Sequence, residues 1–429
     1  MAHGTDPSLQ KQVIYSVFVR NHTAEGTFRA LIADLDRIRS LGTDIIWLMP
    51  IQPIGEVKRK GSLGSPYAIS DYRAVNPEYG TLEDFRTLVD EIHNRDMKCM
   101  IDVVYNHTSP DSVLWRDHPE FFYKRPDGTP GNHVGDWTDI IDLDYNIPEL
   151  WDYQIETLTY WAQIVDGFRC DVASFVPVAF WLRARREIAA FKPGFIWLAE
   201  SVHRSFSTAC RRLGMYCARD VDAYEAFDIE YEYDIREAFD RYLDGSGSLE
   251  HWTDLLNFQE FAYPENYNKL RFLENHDTPR IAPRVKDGLS LQNYTAMLYF
   301  LKGTTMLYAG QERAAEHRPS LFDTDKVQWN AGTDLTPLLQ TLARLKRETL
   351  SPDDLFSAAA DEANHIAIMT RDDGKTRKAG VFSLRGLPGE AEVSLPDGRY
   401  PELLSGEDVE VSGGKLHTDG RPLWICAAI

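Results

Sequence analysis

Across residues 13–349 the chain alternates short solid apolar runs with longer stretches whose apolar residues fall three or four positions apart. The runs read as buried strands: 13–19 (VIYSVFV), 44–51 (DIIWLMPI), 98–106 (KCMIDVVYN), 163–171 (QIVDGFRCD), 194–201 (GFIWLAES), 269–277 (KLRFLENHD) and 303–312 (GTTMLYAGQE). A weaker run, 222–229 (DAYEAFDI), completes eight as the sixth in order. Between them lie helical patterns, including 27–42, which stops at Gly42, 81–96 with Thr81 as N-cap, 178–190, 231–243 and 290–302. Eight strand–helix repeats imply parallel strands, and closing them gives a TIM (β/α)8 barrel. A doubly wound open sheet absorbs eight such units in one order poorly, and the chain has no Gly-rich phosphate turn to support it.

Two stretches depart from this rhythm. Residues 108–160 are rich in Pro, Gly, Asp and aromatics and show no βα pattern; loops of this length in compact domains are usually functional. Beyond 350 the pattern shortens to alternating strands such as HIAIMT, RKAGVFSL, GEAEVSLP and LWICAAI. The predicted organisation is a catalytic barrel over 1–107 and 161–349, an inserted loop domain over 108–160 after the third strand, and a C-terminal antiparallel β-sandwich domain over 350–429.

Composition narrows the partners. The formal net charge of -20 repels phosphate and anionic lipid, which argues against nucleic acid and membrane and leaves an uncharged substrate unaffected. Five cysteines, an odd number with no CxxC spacing, give neither a disulfide framework nor a zinc site. No basic start followed by an apolar run and no 18-residue apolar span occurs, so the expected location is cytoplasmic. Oligomeric state is left open.

In a barrel of this kind the strands' C-terminal ends face the active site. Those ends carry Asp102, Asn106 and His107 after the third strand, Arg169 and Asp171 after the fourth, and Glu200 after the fifth. Asn275, His276 and Asp277 close the seventh. Each alone has a structural explanation: an N-cap for Asp277, a buried ion pair for Arg169 and Asp171. Together, at one end of successive strands, they are what acid–base chemistry on an uncharged substrate requires. Arg169 and Asp171, two apart, point to the same side, where the guanidinium is expected to hold the carboxylate ionised. Glu200 ends the apolar FIWLAE, where desolvation is expected to keep it protonated. One charged and one neutral carboxyl, about 5–5.5 Å apart, is the retaining glycosidase arrangement. The same pair also suits other proton transfers.

DVVYNH, GFRCDVAS, WLAES and FLENHD, in this order and on these strands, resemble the four signature regions of the α-amylase family of glycoside hydrolases. DLDYNIPE is similar to its additional motif, and SPYAISDYRAVNPEYGT and GTTMLYAGQE to its second-strand loop and eighth strand. The resemblance implies Asp171 as nucleophile, Glu200 as general acid and base, and Asp277 as the residue binding hydroxyls next to the anomeric carbon. It implies Arg169 positioning Asp171, His107 and His276 hydrogen-bonding the sugar, Tyr67 stacking under it, and Asp102 in support.

Departures bound the implication. Many endo-acting relatives carry Lys-His shortly after the nucleophile; here Ser174 and Phe175 stand there and make the acceptor side drier. Gly64 stands where exo-glucosidases of the family often carry Asp, which argues against a closed exo-glucosidase pocket. Asn106 matches a calcium ligand of many amylases, but its partners among Asp136, Asp139 and Asp142 are not assignable. The expectation is therefore no metal and no cofactor, with a structural calcium as the alternative. The expected function is hydrolysis of α-1,4 bonds in maltooligosaccharides, with maltose as a candidate product. Glucan transfer or glucosyl isomerisation by the same triad is the alternative, and a non-catalytic sugar-binding protein is the remote one.

Overall fold

The computed structural model describes residues 4–285, 287–330 and 332–429. Eight parallel strands close a barrel: β1 (Val13–Val17), β2 (Ile45–Leu48), β3 (Lys98–Val103), β4 (Gly167–Cys170), β5 (Ile196–Ala199), β6 (Ile229–Tyr231), β7 (Lys269–Arg271) and β8 (Thr304–Tyr308). Their order is β1-β8-β7-β6-β5-β4-β3-β2. Period-two alternation sorts the strand residues. Ile14, Trp47, Met100, Leu198, Tyr231, Leu270 and Met306 fill the interior, while Tyr15, Ile46, Ile101 and Phe168 join the outer core. The helix Leu82–His93 shows how the outer layer is specified. Thr81 and Asp84 form a reciprocal capping box at its start, and Phe85, Leu88, Val89 and Ile92 face inward; such a cap contributes about 1 kcal/mol.

Three stretches differ from the sequence pattern. The helix expected over 27–42 is two, Phe28–Ile32 and Leu35–Ser40. Asp34 lies between them, its carboxylate 2.6 Å from His22 Nε2 and accepting from Arg37 at 2.7 and 2.6 Å; an Asp with such partners does not favour a helix interior. The sixth strand is Ile229–Tyr231 rather than 222–229, and Asp220–Ala223 is helical. Tyr224, Ala226 and Phe227 are fully buried because the turn packs on the barrel's outer wall, Phe227 lying edge-on to Trp181 at 5.4 Å. The last part of 108–160 forms the helix Pro148–Ala162, which buries Leu150, Ile155, Leu158 and Trp161. Within the preceding loop, His107–Thr108 pairs antiparallel with Ile141–Asp142.

The C-terminal strands form two four-stranded antiparallel sheets. β9 (Leu355–Asp361), β10 (Ile366–Asp372), β11 (Thr376–Ser383) and β16 (Leu423–Ala428) follow the order β9-β10-β11-β16. β12 (Gly389–Glu392), β13 (Gly398–Pro401), β14 (Asp408–Ser412) and β15 (Lys415–Thr418) follow β12-β15-β14-β13. Ile366, Val381 and Ile425 of the first sheet pack on Ala391, Val411 and Leu416 of the second. The first sheet's other face, with Met369, Phe382 and Trp424, joins the barrel's outer core. It covers the helix Gly288–Phe300, whose Phe300 ring lies 4.7 Å from Trp424 and 5.8 Å from Phe382.

Candidate active site

A cavity of about 370 Å³ opens at the C-terminal rim of the barrel, lined by Tyr67, His107, Asp171, Glu200, His276 and Asp277 among others. Clefts of 610 and 660 Å³ elsewhere hold none of these carboxylates, so size alone does not mark the site. Asp102 and Arg169, partners in the β3–β4 register, lie fully buried beneath the cavity.

Arg169 organises the floor. Its Nη1 donates to Asp102 Oδ1 and to Asp171 Oδ1, each at 2.8 Å. Its Nη2 lies 2.9 Å from Glu200 Oε2 but out of line for a hydrogen bond, so that contact is an ion pair. Trp47 and Tyr231 surround the guanidinium at 5.1 and 5.3 Å. One cation thus serves three buried carboxylates, and burial wins. The Asp171 carboxyl is pushed by desolvation up to about 6 against the pull of Arg169. At neutral pH Asp171 carries its charge, with Arg169 opposing the burial that raises it.

Glu200 follows β5, its N–H continuing the ladder to Cys170 O at 3.0 Å. Desolvation, with Arg169 opposing and the charges of Asp171 and Asp277 adding, raises its carboxyl to about 7. Oε2 accepts the Val172 N–H at 2.8 Å, which leaves Oε1 to hold a proton. Val172 reaches that position in the left-handed region, φ +36° and ψ +45°; a β-branched residue there costs about 1–3 kcal/mol.

On the opposite side, Asn275 Oδ1 accepts the N–H groups of Asp277 and Thr278 at 2.9 and 2.8 Å. Asn275 therefore takes the turn-capping role, and the Asp277 carboxylate is free to face the cavity. His276 Nε2 lies 3.1 Å from Asp277 Oδ2 and 2.8 Å from the Tyr67 hydroxyl, which donates to Asp102 Oδ2 at 3.1 Å. The cavity walls desolvate the half-exposed Asp277 carboxyl, but His276 and then Arg169 and Arg318 hold it at about 2. Burial lowers the His107 pKa and favours the neutral ring.

Of the acidic residues near Asn106, Asp142 and Asp139 have basic partners, while Asp142 Oδ1 is buried without one. Asp142 Oδ2 accepts from the His133 N–H and lies 2.7 Å from His133 Nδ1. Asp139 pairs with Lys60 at 2.9 Å. Among the described residues no group of three or more His, Cys, Asp or Glu is placed to hold a metal ion.

The cavity also takes residues the sequence reading left out, Lys60, Trp137, Phe206, Tyr233 and Phe322, and Asp139, which it had considered only as a calcium partner. Only the length and aromatic content of 108–160 pointed toward Trp137. Its ring lies 5.6 Å from His107 and 6.2 Å from Phe206, which lies 5.8 Å from Phe175. These rings make an apolar wall beside Val172 and Val202.

Residues 12–127 and 133–354 match the family described as alpha amylase, catalytic domain, and 357–425 match the bacterial alpha amylase C-terminal domain. The chain is 38% identical to an alpha-1,4-glucan:maltose-1-phosphate maltosyltransferase of Rhodospirillum rubrum, over 97% of this chain and 64% of that protein. It is 27% identical to an alpha-amylase of Haloarcula japonica, over 93% and 59%. The chain thus spans under two thirds of the length of either curated relative. Among solved structures, an alpha-amylase from Lactobacillus plantarum is similar with a TM-score of 0.94 at 46% identity, covering 98% of this chain and all of that one. A maltogenic alpha-amylase from Thermotoga neapolitana gives 0.87 at 30%, with the same coverage.

Proposed function

The chain belongs to the α-amylase family, and from that premise we propose that it cleaves α-1,4-glucosidic bonds of maltooligosaccharides with retention, releasing maltose or a similarly short product. The observation that carries the reading is one buried arginine holding two carboxyls, of which Glu200 is raised to about 7 and Asp171 to about 6. Asp171 attacks the anomeric carbon while Glu200 gives its Oε1 proton to the departing glycosidic oxygen. The covalent glycosyl–Asp171 ester is then opened by water, whose proton returns to Glu200 as its oxygen bonds the anomeric carbon and the Asp171 carboxylate leaves. Asp277 accepts hydrogen bonds from the hydroxyls beside that carbon, and His107 and His276 bind further hydroxyls. Tyr67 stacks under the ring. Arg169, fixed by Asp102, positions both carboxyls. A maltogenic solved neighbour and a maltose-transferring curated relative support the choice of substrate class.

One observation favours a second reading, glucan transfer. Trp137, Val202 and Phe206, which line the cavity together with Glu200, offer a sugar acceptor an apolar surface and water few partners. Purified protein incubated with maltotriose through maltoheptaose, sampled early and separated by chromatography, decides between them. Products all shorter than the substrate establish hydrolysis; products longer than the substrate establish transfer. No turnover of any of these glucans would refute the α-glucan reading.

A further inference from the structure

In the closed strand order, β5 lies directly across from β1, and β2 and β8 flank β1. Glu200, after β5, protonates the oxygen that leaves with the aglycone. The cavity beyond it, at Val202, His203 and Phe206, therefore takes the leaving group and the acceptor. The loops after β2 and β8 must meet the other end of the glycosyl unit.

Those two loops are stitched together. Leu63 N–H donates to Phe322 O at 2.9 Å, and Ser62 donates to Asp323 Oδ1 through its N–H at 2.9 Å and its hydroxyl at 2.6 Å. Buried Arg20, paired with Glu78 at 2.9 Å, donates to the carbonyls of Gly64 at 3.4 Å and Leu321 at 3.2 Å, one from each loop. Gly61, at φ +63°, lets them touch: a Cβ there would sit 2.5 Å from Phe322 Cβ. Lys60 then spans to the inserted loop, its Nζ 2.9 Å from Asp139 Oδ1 and donating to Asp136 O at 3.2 Å. Lys60, Leu321 and Phe322 all line the cavity. At the opposite end, Val202 is shared with an adjoining cleft of 280 Å³.

We propose that this clasp closes the donor end of the site, so that the enzyme works from non-reducing chain ends, with Lys60 as the residue that reads the terminal sugar. Nζ donates to the Asp136 carbonyl and faces Asp139 as an ion pair, which leaves N–H donors of the ammonium for the O4 of a terminal glucose, an atom that in an internal glucose is tied into the next glycosidic bond. The cavity, at about 370 Å³, lies near the small end of ligand sites and suits a short glycosyl unit. Gly64 does not contradict this closure. At φ +81°, with a Cβ placed 2.8 Å from Ile54 Cγ2, the position has no room for the Asp of exo-glucosidases, and Lys60 closes the end from another direction.

The inference rests on the α-glucan reading above, and one experiment separates the two. Maltoheptaose and maltoheptaose whose non-reducing O4 and O6 are bridged by an ethylidene group are compared by early product analysis. Wild type is expected to turn over the blocked chain roughly 100-fold more slowly. Lys60→Met, which keeps the stem and removes the charge, is expected to narrow that ratio about tenfold, as is Asp139→Asn, which releases the clasp from its other side. Similar wild-type rates on both chains would overturn the closed donor end alone. An unchanged ratio in both variants would overturn the role of Lys60. Failure of wild type on the unblocked chain would overturn the α-glucan reading and this inference with it.

Discussion

Replacing Glu200 by Gln should destroy activity and stabilise the protein, with a pH signature that ties the two effects together. The carboxyl titrates near 4.5 in an unfolded chain and near 7 in the fold, chiefly through desolvation. Below 4.5 both states are protonated and Glu200 makes no difference. As pH rises toward 7 the unfolded chain releases its proton first, so the folded state loses stability by about 1.4 kcal/mol per pH unit. By pH 8 the loss totals about 3 kcal/mol, because the group is then charged in both states. Gln keeps the shape and can accept the Val172 N–H, but carries no charge to bury. Thermal unfolding of wild type and Glu200→Gln at pH 4.5 and pH 8 measures the effect. The two proteins should melt together at the lower pH, and the variant should be more stable by about 3 kcal/mol at the higher. Activity in the same preparation should fall by about 10²–10⁴-fold. A variant less stable than wild type at pH 8, or a gap of constant size across pH, would refute the claim that Glu200 is held partly protonated by burial.

Asp171→Asn should lower turnover about 10⁴-fold with unchanged circular dichroism; near wild-type activity would remove Asp171 from the nucleophile's role. The profile of kcat/KM against pH should be a narrow bell with limbs near 6 and 7. Below the first, Asp171 takes a proton and no longer attacks; above the second, Glu200 loses the proton it must give, the two values belonging to the coupled pair. A plateau extending past pH 9 would exclude Glu200 as the acid. Prolonged treatment with a calcium chelator should leave both activity and melting temperature unchanged, since Lys60 pairs with Asp139 and His133 with Asp142, two of the three acidic residues near Asn106; a fall in either, reversed by added calcium, would overturn that reading.

The barrel and its rim of charges were legible because both are local signals. A strand's apolar run and the residue at its end are adjacent in sequence, and topology places those ends together. Partners fixed by tertiary structure were not legible. Asp34 breaks a good helical pattern because His22 and Arg37 hold its carboxylate. Tyr224, Ala226 and Phe227 are apolar for a turn against the barrel wall, not for a strand. Arg169 and Asp171 were readable as a pair, but not the sharing of that guanidinium with Asp102 and Glu200, nor how far burial outweighs it in raising Asp171. Lys60 lies in the polar loop EVKRKGSLG, where nothing local separates it from Lys58 or Arg59; its distinction comes from Asp139, far along the chain.

The β-sheet that packs on Gly288–Phe300 has a bearing on inheritance and engineering. Because Phe300 sits against Trp424 and Phe382, and Asn257 pairs with both backbone groups of Ala358 at 2.8 Å, barrel and β domain share one continuous core. They cannot be shuffled like beads on a string. A chimera that kept this barrel but borrowed another relative's β domain would need to import the matching aromatic set on both sides of the seam. Selection on one half therefore constrains drift in the other.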